Sequence, residues 1–184
     1  MNGRINRRAF LGSAMMAVAA TGAPPAQDTV GEKEASAIKA RSKKSKEHVR
    51  KYGGLFNIHE GFNWKKSTGM DLHLVLTPKL GSHNVGITSA VHHPGMEFEP
   101  HVHPLSEELV FCHEGEGEFF LYDKWIPAKA GDVFYAPPGV YHGTRKRAGT
   151  KGTFTTIGVA TPPQLDLYNR IGYDVLSDKP DEDR

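Results

Sequence analysis

Three histidines and one glutamate carry the chemistry open to this sequence. His101 and His103 lie two residues apart in the run Gly95 to Gly115, GMEFEPHVHPLSEELVFCHEG. In an extended chain alternate side chains share a face, so both imidazoles are expected on one side of one strand. Glu108 follows past the turn-prone Pro104 and Ser106, at the head of the apolar run Leu109-Val110-Phe111-Cys112, and is expected to face back across a hairpin. His142 ends a second stretch, GDVFYAPPGVYH from Gly131, in which Gly131-Asp132 and Pro138-Gly139 bracket the short strand Val133-Phe134-Tyr135 and turn the chain back. Two hairpins would then bring three imidazoles and one carboxylate to one point. That donor set suits Mn, Fe, Ni, Cu or Zn rather than Ca or Mg, which prefer all-oxygen shells. One divalent transition metal is expected, with His101, His103, Glu108 and His142 as its ligands. Singly, each of these is an ordinary solvent-facing or hydrogen-bonded side chain; their order and spacing make the difference.

The elements that must position them read as strands. Leu72, Leu74 and Leu76 alternate with Asp71, His73 and Val75. Further strand-like runs fall at Gly86 to Val91, Leu109 to His113, Glu118 to Tyr122, Val133 to Ala136 and Phe154 to Val159. Turn signals separate them, among them Pro78, Gly81-Ser82, Pro94-Gly95, Gly115-Glu116-Gly117, Asp123-Lys124 and Gly149 to Gly152. Many short strands without a long helix predict an all-β sandwich or a closed barrel. A small barrel also removes exposed sheet edges and leaves a mouth for a ligand.

These residues resemble the two motifs of the cupins. The first, G-x5-H-x-H-x4-E-x6-G, is filled by Gly95, His101, His103, Glu108 and Gly115. The second, G-x5-P-x-G-x2-H-x3-N, is met by Gly131, Pro137, Gly139 and His142, while Lys146 stands where the family has Asn. The resemblance covers roughly residues 70 to 160. It implies a small cupin β-barrel (double-stranded β-helix, or jelly roll), a single barrel since no internal repeat is visible, and a homodimer. Among cupins are germin-like oxalate oxidases, dioxygenases, sugar isomerases, lyases and non-enzymatic binding proteins, so the fold does not choose an activity.

Length and composition bound the rest. A chain of 184 residues supports one domain with a real core. The formal charge of +2 and the scattered aromatics leave no nucleic-acid footprint, and no nucleic-acid partner is expected. The single Cys112 excludes an intramolecular disulfide and is expected as a small buried hydrophobe pointing inward with Glu108 and Val110.

The first 26 residues have the layout of a signal peptide: Arg4, Arg7 and Arg8, an apolar run from Phe10 to Ala20, then small residues and Pro. Arg7-Arg8-Ala9-Phe10-Leu11 resembles a twin-arginine export signal, and the apolar run is too short to span a membrane. Cleavage between Ala19 and Ala26 takes the formal charge from +2 to −1. The expected location is periplasmic or secreted, with no integral membrane segment after cleavage. Such signals export folded proteins, so a metal could be loaded in the cytoplasm, away from the Cu and Zn that outcompete weaker binders; this favours Mn or Fe.

Residues 27–54 form a basic lead-in: from Glu32 to Lys51 eight Lys or Arg face three acids, which reads as a solvated helix or linker ended by Gly53-Gly54. The barrel is expected over 55–162. In 163–184, Gln164 to Ile171 is expected as a short helix with Leu165, Tyr168 and Ile171 on its inner stripe, followed by a polar tail.

With three neutral imidazoles and one carboxylate the ion would keep net positive charge and two open positions, which suits small acids, enols or diols. The expected function is an exported metal-dependent enzyme acting on a small oxygenated substrate, an oxidoreductase of the dioxygenase or oxalate-oxidase kind. The alternatives are a metal-dependent isomerase or lyase, and a non-catalytic metal- or ligand-binding cupin. Glu97 and Glu99 by parity, and Tyr135, Tyr141 and Arg145 by proximity, are the residues nearest such a site; none is assigned as catalytic, and Tyr141 is expected to pack away from it.

Overall fold

A computed structural model describes residues 31–34, 36–37, 46–66 and 70–175. The export signal, most of the basic lead-in and the polar tail lie outside the described residues. Among those described, no helix is long and apolar enough to cross a membrane.

Nine strands make the barrel: β1 Phe62–Lys66, β2 Met70–Leu76, β3 Gly86–His92, β4 Glu97–His101, β5 Glu107–Leu121, β6 Lys124–Lys129, β7 Val133–Ala136, β8 His142–Arg145 and β9 Phe154–Thr161. Short helices flank them, among them α1 Lys46–Tyr52, none of whose residues is buried, and α2 Leu165–Arg170. All pairings are antiparallel, in the order β1-β2-β3-β9-β5-β8-β4, with β6 and β7 also paired to β5. The expected all-β barrel is thus a sheet curled on itself.

β5 makes the curl. Its first part, Glu107 to Gly115, pairs with β9, while Glu118 to Leu121 pairs with β8. The sequence reads here as two strands separated by Gly115-Glu116-Gly117; the structure runs one 15-residue strand straight through. Gly115 marks the bend, at φ +76 and so close to Thr153 that a Cβ would strike its carbonyl. A register shift between Cys112 and Glu114 adds a bulge, which is how a strand passes from one face of a barrel to the other. β1, β6 and β8 are strands that alternation did not reveal. β6 and β8 are short and carry Pro127 and Gly143, which blur a period-2 pattern.

The core has two parts. Phe62, Met70, Leu72, Leu74, Ala90 and Met96 pack with Leu167, Tyr168, Ile171 and Tyr173 from and after α2. Val110, Cys112, Phe119, Ala128, Phe134, Ala136 and Phe154 form the other. The inner stripe of α2 begins at Leu167, whereas Leu165 is exposed, so the expected stripe is displaced. The helix does cover the β1–β3 side of the barrel.

Candidate metal centre

β4 and β8 are hydrogen-bonded neighbours, and their register sets His101 directly opposite His142. β4 ends at His101, so His103 lies in the following loop rather than on the same strand. The expected hairpin between the histidines and Glu108 does not form either. Glu108 sits on β5 opposite Ala136 of β7 and Ala160 of β9 and reaches the histidines across the barrel interior. The structure nonetheless brings all four residues together.

The Nε2 atoms of His101 and His103 are 3.2 Å apart. Oε2 of Glu108 lies 3.0 Å from Nε2 of His142 and 3.6 Å from Nε2 of His103. The three imidazoles form a compact cluster with ligand atoms within 4.8 Å of one another, and Glu108 adjoins it on the His103–His142 side. His103, Glu108 and His142 are buried, and His101 is partly exposed at the pocket's edge.

The other ring nitrogen of each histidine is occupied. Nδ1 of His101 donates to the Glu99 carbonyl at 2.8 Å, Nδ1 of His142 to the Val140 carbonyl at 2.8 Å, and Nδ1 of His103 to Oδ2 of Asp166 at 2.7 Å. Carbonyls and carboxylates accept, so each Nδ1 carries a proton and each ring turns its Nε2 inward. The Nε2 atoms of His101 and His103 thus face each other at contact distance, two nitrogen donors that one cation could share. The residues therefore fit a metal ion, as N3O donors with their outer nitrogens held.

Charge follows the same logic. Burial pushes His101 down to about 4, the Glu99 carbonyl opposing the fall and His142 and His103 adding to it, so the ring is neutral at pH 7. Burial also works against the Glu108 charge, but the hydrogen bond with His142 and the positive potential of His142 and His103 outweigh it and keep the carboxyl below its ordinary value. His142 moves the opposite way: burial lowers it, and the Glu108 hydrogen bond and charge raise it further. Without a cation, Glu108 and His142 are an ion pair. A metal would take the place of that single shared proton.

The pocket holding the cluster has a volume of about 50 Å³ and is walled by Val110, Phe98, Leu167 and the hydroxyls of Thr88 and Thr156. A cavity this size admits a group of a few heavy atoms. Gln164 and Asp166, missed by sequence reasoning, belong to this site. Gln164 is 3% exposed and lines the pocket with its amide nitrogen unpartnered; it lies beside the Glu108 carboxylate without closing a well-formed hydrogen bond to it. Neither residue falls in a motif; the docking of α2 sets Asp166 against His103, 63 residues back along the chain.

The residues named for proximity are engaged elsewhere. Arg145 pairs with Glu118 and stacks 4.1 Å over the Trp125 ring, with Glu97 3.9 Å away. Tyr135 donates to Glu107 on the outer surface, Glu99 offers its backbone, and Tyr141 is exposed rather than packed. Cys112 faces inward as expected, in the second core cluster. Lys146 lines a separate cleft, its Nζ donating to the Glu116 carbonyl at 2.7 Å, and the two cavities share no wall residue.

A curled double-stranded antiparallel barrel with histidines converging inside it is the architecture of the cupin class. The family model for the cupin domain matches residues 90–158, and this chain carries a cupin domain. Among solved structures it is similar to KdgF from Halomonas sp., with 20% identity and a TM-score of 0.53 over 62% of this chain and 98% of that one. It is also similar to a conserved protein with a double-stranded β-helix domain from Klebsiella pneumoniae, at 25% identity and TM-score 0.50, covering 59% and 89%. A predicted oxalate decarboxylase from Thermotoga maritima aligns at 20% identity and TM-score 0.51, covering 59% and 98%. A search of curated proteins found no match.

Proposed function

We propose that this cupin is an exported metal enzyme, an oxidoreductase acting on a small oxygenated substrate such as a short carboxylic acid or enol. The observation that carries the reading is the convergence of three imidazole Nε2 atoms and the Glu108 carboxylate on one pocket of about 50 Å³. His101, His103, Glu108 and His142 would hold the ion, with Mn or Fe favoured. A bound ion of that kind supplies Lewis acidity toward a substrate oxygen and, if redox-active, a place for O2.

The chain's own residues define what can enter. Phe98, Val110 and Leu167 give the pocket an apolar wall, and Thr88, Thr144, Thr156 and Gln164 supply polar groups that could orient a small head group. Glu108 is held by His142, which suits it to be a ligand rather than a mobile base. The arginine pair near the N-terminus supports export to the periplasm or beyond. The homodimer has its support in the outer face of β5 and β7, where Leu109 stands opposite Tyr135 and Phe111 opposite Val133, all four exposed.

The experiment is elemental analysis of protein purified without chelators, followed by oxygen uptake with a panel of small acids. Near-stoichiometric Mn or Fe with substrate-dependent oxygen consumption is the expected result. Equal metal content in wild type and a His101→Ala, His142→Ala double variant would sink the ligand assignment. Turnover that persists without air would replace the oxidoreductase with an isomerase or lyase.

A further inference from the structure

Two of the three imidazoles are oriented locally. His101 and His142 each donate to a backbone carbonyl two residues earlier, Glu99 and Val140, so the strand that carries the ring also aims it. His103 differs in both respects. It lies beyond the end of β4, and its Nδ1–H is held by Asp166, 63 residues further on. That bond, at 2.7 Å, has an ionised acceptor and a donor ring only 2% exposed, which makes it stronger than a neutral hydrogen bond to a carbonyl.

Asp166 is in the first turn of α2, and the same segment walls the pocket through Gln164 and Leu167. The helix is docked by Leu167 and Tyr168, which pack in the β1–β3 core. The orientation of one candidate ligand therefore depends on the docking of a C-terminal element that contributes no ligand.

We infer that Asp166 is the positioning residue of the metal centre and couples metal affinity to the docking of α2. The inference rests on the metal reading above. An imidazole bound to a cation through Nε2 is a stronger donor at Nδ1, so occupancy of the site tightens the bond to Asp166. By thermodynamic reciprocity, a docked α2 raises affinity for the ion and the ion holds α2 down.

The test uses full-length protein stripped of metal, with Mn(II) and Zn(II) affinities measured by competition against a chromophoric chelator. Asp166→Asn keeps an acceptor but loses the charge and is expected to bind about 10-fold more weakly; Asp166→Ala loses both and is expected near the 100-fold end of the range for such partners. Asp166→Glu should recover part of the loss. Hydrogen exchange across residues 163–173 supplies a second readout: metal should slow it in wild type and have less effect in Asp166→Ala. The Asp166 side chain is about one-third exposed, so the variants are expected to fold, and melting of the metal-free proteins checks this. Affinities within twofold of wild type, or equal slowing of exchange in Asp166→Ala, would overturn the inference while leaving the metal reading in place. Absence of metal binding in wild type itself would remove the metal reading.

Discussion

His101 and His103 point their Nε2 atoms at each other across 3.2 Å while both Nδ1 atoms are already committed to acceptors. The two inward nitrogens are ready-placed donors for a cation. Metal is therefore expected to stabilise the fold: at a free concentration 100 times the dissociation constant the gain is about 2.7 kcal/mol. A denaturant titration with and without Mn(II) measures it. The His101→Ala, His142→Ala variant should show no gain.

His92 sets a pH dependence separate from the metal site. It is fully buried, with Nδ1–H donating to the Phe154 carbonyl and Nε2 accepting from Thr144. Burial pushes it from 6.5 down to about 4. A lowered folded value means the native state binds fewer protons than the unfolded chain. Its contribution is complete above pH 6.5, is lost as pH falls toward 4, and is level below that, a total of about 3 kcal/mol. Unfolding free energies from pH 7.5 to 4, compared with those of His92→Gln, should isolate a slope of that size; equal slopes would refute it.

Gly158 leaves room for the Glu108 carboxylate. A Cβ at this position of β9 would lie 2.5 Å from Oε1 of Glu108 and 2.6 Å from Oγ1 of Thr88. Gly158→Ala should keep the barrel, seen by circular dichroism, and weaken metal binding by at least about 10-fold through displaced Glu108. Unchanged affinity would mean that Glu108 is not a ligand.

Cys112 should be inert in the native protein. Burial raises its thiol to about 11, with Asp132 adding to the shift, and only the thiolate reacts with alkylating agents. Labelling by iodoacetamide at pH 8 is expected to be slow in the folded protein and complete in denaturant. Comparable rates in both would contradict the burial.

The outer apolar face of β5 and β7 should mediate self-association. Light scattering is expected to give a dimer mass, and Phe111→Lys with Val133→Lys a monomer mass. A monomeric wild type would remove the dimer proposal.

The barrel and the four convergent residues were legible because alternation and fixed spacing are local properties. How those residues meet was not. His103 left its strand, and Glu108 came from a different pairing partner than the expected hairpin, since strand order is set by long-range pairing that no short window contains. Gly115-Glu116-Gly117 read as a turn because glycine marks a bend within a strand as strongly as a break between two. Asp166 and Gln164 were invisible for a further reason. They act from a helix whose periodicity reports only that it packs, not what its polar residues reach.

The continuity of β5 makes it the molecule's ruler. Glu108 is measured from one end of it, and near the other end Leu121 fixes His142 as its neighbour. Adding or deleting one residue between them would turn Glu108 or Leu121 to the opposite face and pull the two halves of the pocket out of step. The hairpin tip at Tyr122 and Asp123 lies outside that measured interval. Length variation in this protein should be tolerated there and refused within the span from Glu108 to Leu121.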